Sequence, residues 1–376
     1  MPNKSLESES RDQGSGGRGQ EEDVRRAPFQ GRQPEPKAQS PEPAVHDVGE
    51  HALIQRVRER LGPSPDWLLV DVGDDAAVYE PARRLVEVIT TDAIVDGVHF
   101  DRRFVPARAI GHRALAVNLS DLAAMGATPR LATLSLVLPP DLPLSDFDEM
   151  IDGLLALATE SRTRIVGGNI TSTSGPLAVD VTLIGAVHRR RVLTRGGARP
   201  GDDVFVSGVL GDGRIGLDLL RSGHSETPDI GHSCVARYLQ PEARVRLGQA
   251  LGRRHAATAA IDLSDGLADG VARLADASGL GFELQAQALP IHPDTVAAAV
   301  GLGHDPVREA LAGGDDYELL FTVSRKRRGA LRGVQRQIGD LRLTRIGTVT
   351  KAPGLTVVHA DGRREPITGG YEHFAK

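Results

Sequence analysis

A mixed α/β (α+β) architecture in two domains is what the sequence predicts, and three observations carry the prediction. Apolar segments with strand and helix spacing alternate through both halves of the chain. Its 376 residues are enough for two domains that each bury a core. An arginine run, Arg189-Arg190-Arg191, and a turn-rich stretch, Gly196–Gly201, interrupt the alternation midway. The expected division is a tail over 1–46, an N-terminal α/β domain over 47–188 and a C-terminal α/β domain over 189–376.

The tail is predicted to be disordered. Between Lys4 and His46 its only large apolar side chains are Leu6, Val24, Phe29 and Val45, too few to offset the entropy of ordering the chain. His51 to Leu61 then reads as an amphipathic helix, with Leu53, Ile54, Val57 and Leu61 at helical spacing. Short strands are expected over Trp67–Val72, Ala76–Tyr79 and Leu85–Thr91. Pro106 to Ala127 reads as a long buried helix, opened by its proline and stopped at Gly126. Strands over Ala132–Leu138, Arg164–Val166 and Leu177–Val187 flank a helix over Leu144–Ser161. The second half repeats the alternation. Strands are expected over Asp203–Val209, Phe282–Leu284, Leu319–Val323 and Leu343–Val349, and helices over Gly213–Arg221, Glu242–Arg253 and Leu267–Ala277. The stretch Glu226–Ser233 reads as turn.

Composition removes several function classes. A net charge of −5 leaves no basic face for general nucleic-acid binding. No run of ~18 apolar residues offers a membrane span, and the polar first residues lack the apolar core of a secretory leader. One cysteine, Cys234, excludes an intramolecular disulfide and fits a reducing compartment. The expected setting is the cytoplasm.

Five short acidic motifs stand at the ends of apolar runs: Gly73-Asp74-Asp75, Thr90-Thr91-Asp92, Asn118-Leu119-Ser120-Asp121, Asp262-Leu263-Ser264-Asp265-Gly266 and Gly313-Gly314-Asp315-Asp316-Tyr317-Glu318. Singly, each reads as a turn or a helix cap. Together they would repel one another, and hard divalent cations relieve such repulsion. Asp121 is the sharpest of the set, falling on the apolar stripe Ile110, Ala114, Val117, Met125 of its helix, where a carboxylate needs a partner. Carboxylates with the Thr90 and Thr91 hydroxyls make an all-oxygen donor set, which suits Mg²⁺, and none of the 12 histidines has zinc spacing. Ser264 and Asp265 precede a helix, as N-caps or as part of an anion site at its amino terminus. Gly167-Gly168-Asn169 ends a strand, as a tight turn or a place where a ligand approaches backbone. Gly211-Asp212-Gly213-Arg214-Ile215-Gly216 has the dinucleotide-binding spacing, but no acidic residue ends a second strand about 20 residues on. It reads as a phosphate-binding or tight-packing turn in preference to an NAD site. The five lysines, Lys4, Lys37, Lys326, Lys351 and Lys376, follow no glycine-rich loop. Any ATP would therefore be held through metals, backbone amides and arginine.

With these residues assembled, the chain resembles the thiamine-monophosphate kinases, relatives of aminoimidazole ribonucleotide synthetase. The resemblance runs from about His46 to Phe374. It is carried by Val72–Ala76, Thr91-Asp92 with Gly97-Val98-His99-Phe100, Ala116–Gly126, Gly313–Leu319 and the terminal Gly370-Tyr371-Glu372-His373-Phe374. It implies a two-domain synthetase-like fold, with a β-rich N-terminal domain that forms a homodimer and a C-terminal α/β domain. It implies ATP and thiamine monophosphate as substrates and several Mg²⁺ ions. Asp75, Thr90, Thr91, Asp92, Asp121, Asp262 and Asp265 would be magnesium ligands; Gly168, Arg195 and Ser264 would contact ATP; His99, Asp315 and Tyr371 would contact the thiamine moiety. Asn169 stands where the family commonly has a magnesium-binding Asp, and its amide oxygen can still be a ligand. Asp315 stands where the family often has Glu.

Overall fold

The computed structural model describes residues 42–72, 76–223 and 232–368. Among these residues, strands β3 (Val86–Val95), β4 (Thr128–Leu138), β5 (Arg164–Ser172) and β6 (Ala178–Val187) form a four-stranded sheet in the order β3-β6-β4-β5. The β3–β6 and β6–β4 pairs are antiparallel and β4–β5 is parallel. Helices α2 (Ala107–Ala124) and α3 (Leu144–Ser161) cover one face. That face supplies Leu134, Leu136, Val179, Val181 and Leu183 to a core shared with Leu115, Leu119, Phe147 and Met150. The other face carries Ile89, Thr91, Thr133, Ser135, Asp180 and Thr182; among the described residues Trp67, Leu68 and Tyr79 pack over it near Ile184 and the rest is uncovered. Helix α1 (Val45–Arg60) begins before the predicted His51 and takes in the end of the stretch assigned to the tail. It is tied down by buried Leu53 and by the Arg60–Asp152 ion pair at 2.9 Å. A short antiparallel pair, β1 (Leu68–Val70) and β2 (Val78–Tyr79), stands beside the sheet. The predicted tail over 1–41 lies outside the described residues.

The second half builds a seven-stranded sheet in the order β13-β12-β9-β11-β7-β10-β8. Its strands are β7 (Asp203–Ser207), β8 (Ala259–Asp262), β9 (Gly281–Gln285), β10 (Leu319–Val323), β11 (Leu343–Thr350), β12 (Leu355–Val358) and β13 (Arg364–Pro366). Every residue of β10 is buried, as a strand covered on both faces requires. Leu320 joins Leu267 and Val271 of α7 (Leu267–Ser278) on one side. Leu319, Phe321 and Val323 join Leu247 and Leu251 of α6 (Val245–Arg253) and Val334 of α10 (Arg328–Ile338) on the other. The remaining helices are α4 (Asp212–Arg221), α5 (His232–Leu239), α8 (Pro293–Gly301) and α9 (Pro306–Ala312). Helix α5 opens inside the stretch expected to be turn. The edge strand β13 and its neighbour β12 escape sequence reading because Leu355-Thr356-Val357-Val358 is too short to show a period and Arg364-Glu365-Pro366 has no large apolar side chain.

One helix links the two layers. Fourteen residues of α2 are buried, the signature of a helix apolar on all sides. It approaches its neighbours so closely that a Cβ on Gly111 would sit 1.8 Å from the Met150 carbonyl oxygen. Reciprocally, a Cβ on Gly153 of α3 would sit 2.0 Å from the Arg108 oxygen, and one on Gly248 of α6 would sit 1.9 Å from the Ala123 oxygen. Backbone cannot yield as a side-chain end can, so these three glycines set the depth at which α2 lies. Gly111→Ala should destabilise the fold by about 3 kcal/mol or prevent folding. Gly62→Ala, with open space around its Cβ, should stay within about 0.5 kcal/mol. Urea denaturation of the two variants measures the contrast.

Candidate active site

Three acidic motifs meet where β3, α2 and β8 come together. Strand β3 runs on to Val95, so Asp92 lies inside it and not after it as predicted. Thr90 and Asp92 are two residues apart and share the face toward α2. The Thr90 hydroxyl donates to Asp121 of α2. The preceding residue, Ser120, donates to Asp262 Oδ2 at 2.8 Å, joining α2 to the end of β8. The carboxylates feel one another strongly. Burial and the charge of Asp121 push the Asp262 carboxyl up to about 7. Asp92 is solvent-accessible yet crowded by protein, and that partial desolvation with the charges of Asp121 and Asp262 pushes it to about 7 also. Burial raises Asp121 too, against the Thr90 hydrogen bond and the Arg195 charge. Exposed Arg195 is therefore close enough to act on both Asp121 and Asp262.

These groups open into a cavity of about 740 Å³ whose lining includes Asp92, Asp121, Asp262, Ser264 and Asp265. Helix α7 is capped by Gly266, at φ 98°, with no side-chain cap. The N-cap role weighed for Ser264 and Asp265 is thus overturned, and both side chains line the cavity. Asp265 lies 3.7 Å from the Arg273 guanidinium. His99, Phe104, Arg113, Tyr238, Asp315 and Tyr317 line it as well. The His99 ring accepts from the Val95 amide at 3.1 Å, and its carbonyl accepts from the Tyr238 hydroxyl at 3.3 Å.

Not every expected residue joins the group. Thr91 points to the opposite sheet face, where its hydroxyl meets Thr182 at 3.1 Å and Asp180 at 3.4 Å. Strand β5 continues to Ser172, so Gly167-Gly168-Asn169 lies within it and does not end it. Asn169 is in register with Ser135 and Asp180, and through them with Ala93, so its side chain shares the face of Thr91 and not that of Asp92. Gly168 falls in the row of Asp92, Val181 and Leu134, but three strand spacings away, roughly 14 Å. Asp74, Asp75 and Tyr371 lie outside the described residues.

The Gly211–Gly216 turn has a packing role. Asp316, buried, accepts from the amides of Gly211 at 3.0 Å and Gly213 at 3.4 Å. The amides that would cradle a phosphate are already bound, and a Cβ at Gly216 would strike the Cys234 carbonyl oxygen at 2.2 Å. Sequence reading missed Arg113, Tyr238 and Tyr317. The signal for Arg113 was present: it lies on the same almost wholly buried helix as Asp121, where a charge needs a partner just as much.

Among the described residues no three acidic, histidine or cysteine side chains close on one point as a self-sufficient metal site. Crowded oxygen donors with proton affinities raised by burial and by mutual repulsion do fit a cation that completes its shell with water and phosphate oxygens, as Mg²⁺ does. Repulsion at Asp262 also has a cost for folding. Its folded pKa of about 7 exceeds the unfolded value of 3.8, so the folded state retains a proton that the unfolded state loses. Stability therefore falls as pH rises from about 4 to 7. Asp262→Asn should raise metal-free stability by roughly 1–2 kcal/mol at pH 8, with no gain below pH 4. Thermal melts across that range test the prediction, and a gain independent of pH would contradict it.

Comparison with known proteins places the chain in a family. Residues 73–187 match the family model "AIR synthase related protein, N-terminal domain" and residues 199–360 match "AIR synthase related protein, C-terminal domain". The chain is 40% identical over 334 residues to the thiamine-monophosphate kinase of Salmonella typhimurium, covering 87% of this chain and 98% of that one. It is 35% identical over 331 residues to that of Aquifex aeolicus, covering 88% and 99%. The crystal structure of thiamine-monophosphate kinase from Stenotrophomonas maltophilia superposes with a TM-score of 0.73 at 40% identity, over 84% of this chain and 98% of that one. A structure described as AaThiL complexed with AMPPCP and TMP does so with a TM-score of 0.69 at 33% identity, over 89% and 100%. The chain belongs to the AIR synthase-related family and, within it, to the thiamine-monophosphate kinases.

Proposed function

We propose that the chain transfers the γ-phosphoryl group of ATP to the phosphate of thiamine monophosphate, giving ADP and thiamine diphosphate, by direct in-line attack in this cavity. The observation that carries the reading is the meeting of Asp92, Asp121 and Asp262 from three elements in one cavity that is also lined by Phe104, Tyr238 and Tyr317. A related structure holding AMPPCP and TMP together supports both substrates. The attacking oxygen belongs to a phosphate already ionised at neutral pH, so no general base is needed. It bonds to the γ-phosphorus as the bond to the ADP oxygen breaks, and the electron pair leaves with ADP.

Bringing two polyanions together is the difficulty that the residues address. Asp92, Asp121, Asp262 and Asp265 would hold Mg²⁺, with the Thr90 hydroxyl fixing Asp121. Bound Mg²⁺ would offset the repulsion between the two phosphate groups. Ser264 and Arg195 would contact ATP phosphates, and His99 and Asp315 the thiamine moiety. The side chains of Thr91 and Asn169 face away and are left out of the cation set.

We also propose a homodimer through the uncovered part of the sheet face. Ile89 on that face is 68% exposed, and Leu69 nearby is 60% exposed, an apolar surface of the kind that marks an interface.

A coupled ADP assay tests the reaction. ADP should appear with thiamine monophosphate and Mg²⁺ together, and not with unphosphorylated thiamine; equal release from both would overturn the reading. Asp92→Asn and Asp121→Asn should each lower kcat by about 100-fold or more while circular dichroism is unchanged. Near-normal turnover in both would exclude the cation role. Light scattering should give twice the chain mass for the wild type and the single mass for Ile89→Glu. A monomeric wild type at micromolar concentration would rule the dimer out.

A further inference from the structure

The loop 313–318 holds two non-glycine residues in the left-handed region, Asp315 at φ 66° and Tyr317 at φ 51°. Such backbone persists only where the surroundings hold it. Here the Asp315 amide donates to the Ser264 carbonyl and the Tyr317 amide to the Leu263 carbonyl, both at 2.8 Å. Asp315 and Tyr317 are thereby turned into the cavity, while Asp316 and buried Glu318 turn into the protein. Arg113 Nη2 donates to Asp315 Oδ1 at 2.7 Å, and the Tyr317 hydroxyl donates to the same oxygen at 3.0 Å. Among the described residues nothing donates to Oδ2. Arg113 itself is 1% exposed, donates to the Tyr238 carbonyl and lies with its guanidinium 4.3 Å over the Tyr238 ring. It cannot swing away from Asp315 without abandoning all three contacts.

We propose that Arg113 is a positioning residue for substrate recognition: with Tyr317 it saturates Oδ1 of Asp315 and leaves Oδ2 as one directed acceptor for the exocyclic amine of the substrate's aminopyrimidine. This rests on the reading of the cavity as the thiamine monophosphate site. The neighbouring guanidinium decides which part of the substrate is read. A lone carboxylate would attract the delocalised thiazolium cation from any direction. Asp315 has a cation 2.7 Å away, so its net charge is largely offset and a directional hydrogen-bond acceptor is what remains. An N–H donor satisfies that acceptor, whereas a carbonyl in its place would leave Oδ2 facing another acceptor.

The test compares thiamine monophosphate with oxythiamine monophosphate, which carries a carbonyl where the amine stands, by the ratio of their kcat/KM values. Wild type should prefer the amine by about 100-fold or more, since a site built to hydrogen-bond a group rejects an analogue lacking it. Asp315→Ala should bring the ratio to within about threefold of one. Arg113→Gln should lower it about tenfold and Tyr317→Phe about threefold, the loss for thiamine monophosphate appearing in KM more than in kcat. Arg113→Lys should restore part of the preference. An Arg113→Gln enzyme with a lower melting temperature and an unchanged ratio would overturn the proposal, as would a wild type indifferent to the analogue. Should Arg113→Gln fail to fold, Tyr317→Phe decides, because it deletes one hydroxyl; an unchanged ratio there overturns the proposal too. No wild-type turnover of thiamine monophosphate at all would instead overturn the assignment of function, and the inference with it.

Discussion

Close backbone approach around α2 is the constraint on which the rest depends. Gly111, Gly153 and Gly248 let one helix lie against α3 on one side and α6 on the other at distances no side chain would permit. The helix gains burial over most of its surface and so can carry Arg113, Ser120 and Asp121 through an apolar interior at fixed positions. Each of these polar groups is answered by a different element: Asp315 of the 313–318 loop, Asp262 at the end of β8, and Thr90 of β3. Pieces of both sheets are thus referred to a single rigid rod. Their mutual placement needs no long flexible connection, which suits a site where an error of an ångström is costly.

Electrostatics among the cavity's carboxylates runs against folding. Desolvation and mutual repulsion hold Asp92 and Asp262 near 7, so the protein has built a place where negative charge is unwelcome until something positive arrives. Arg195 relieves only part of this and from an exposed position. Elsewhere buried acids are answered within the protein, Glu318 by Arg244 and Arg237, Asp203 by Arg345 and Arg328, and Asp316 by the amides of Gly211 and Gly213. The contrast separates carboxylates that serve the fold from those that are left in want of a cation.

Much of the architecture was legible because its signals are local. Helix α3 runs from Leu144 to Ser161 and β10 from Leu319 to Val323, the bounds that apolar spacing predicts. The carboxylates at 92, 121 and 262 could be suspected from apolar context, since burying a charge always demands a reason. What sequence could not give was facing. Thr90 and Thr91 are equivalent as letters, yet a period of two sends one to Asp121 and the other to Thr182. The facing of Gly168 and Asn169 was hidden in the same way, and the strand expected to end at Val166 runs on to Ser172. They continue it, with a bulge just before them where β4 and β5 shift register. Of the two readings left open for the Gly211 turn, phosphate binding or tight packing, the structure gives the second: its amides are taken by a side chain of its own chain, Asp316.

Alternation in the loop 313–318 gives neighbouring letters different obligations. Asp315 and Tyr317 answer to whatever enters the cavity, whereas Asp316 and Glu318 answer to the Gly211 turn and to Arg244. Drift at the first pair would retune what the protein accepts; drift at the second would cost the molecule itself. A short acidic string that looks uniform therefore carries two separate duties, interleaved one residue at a time.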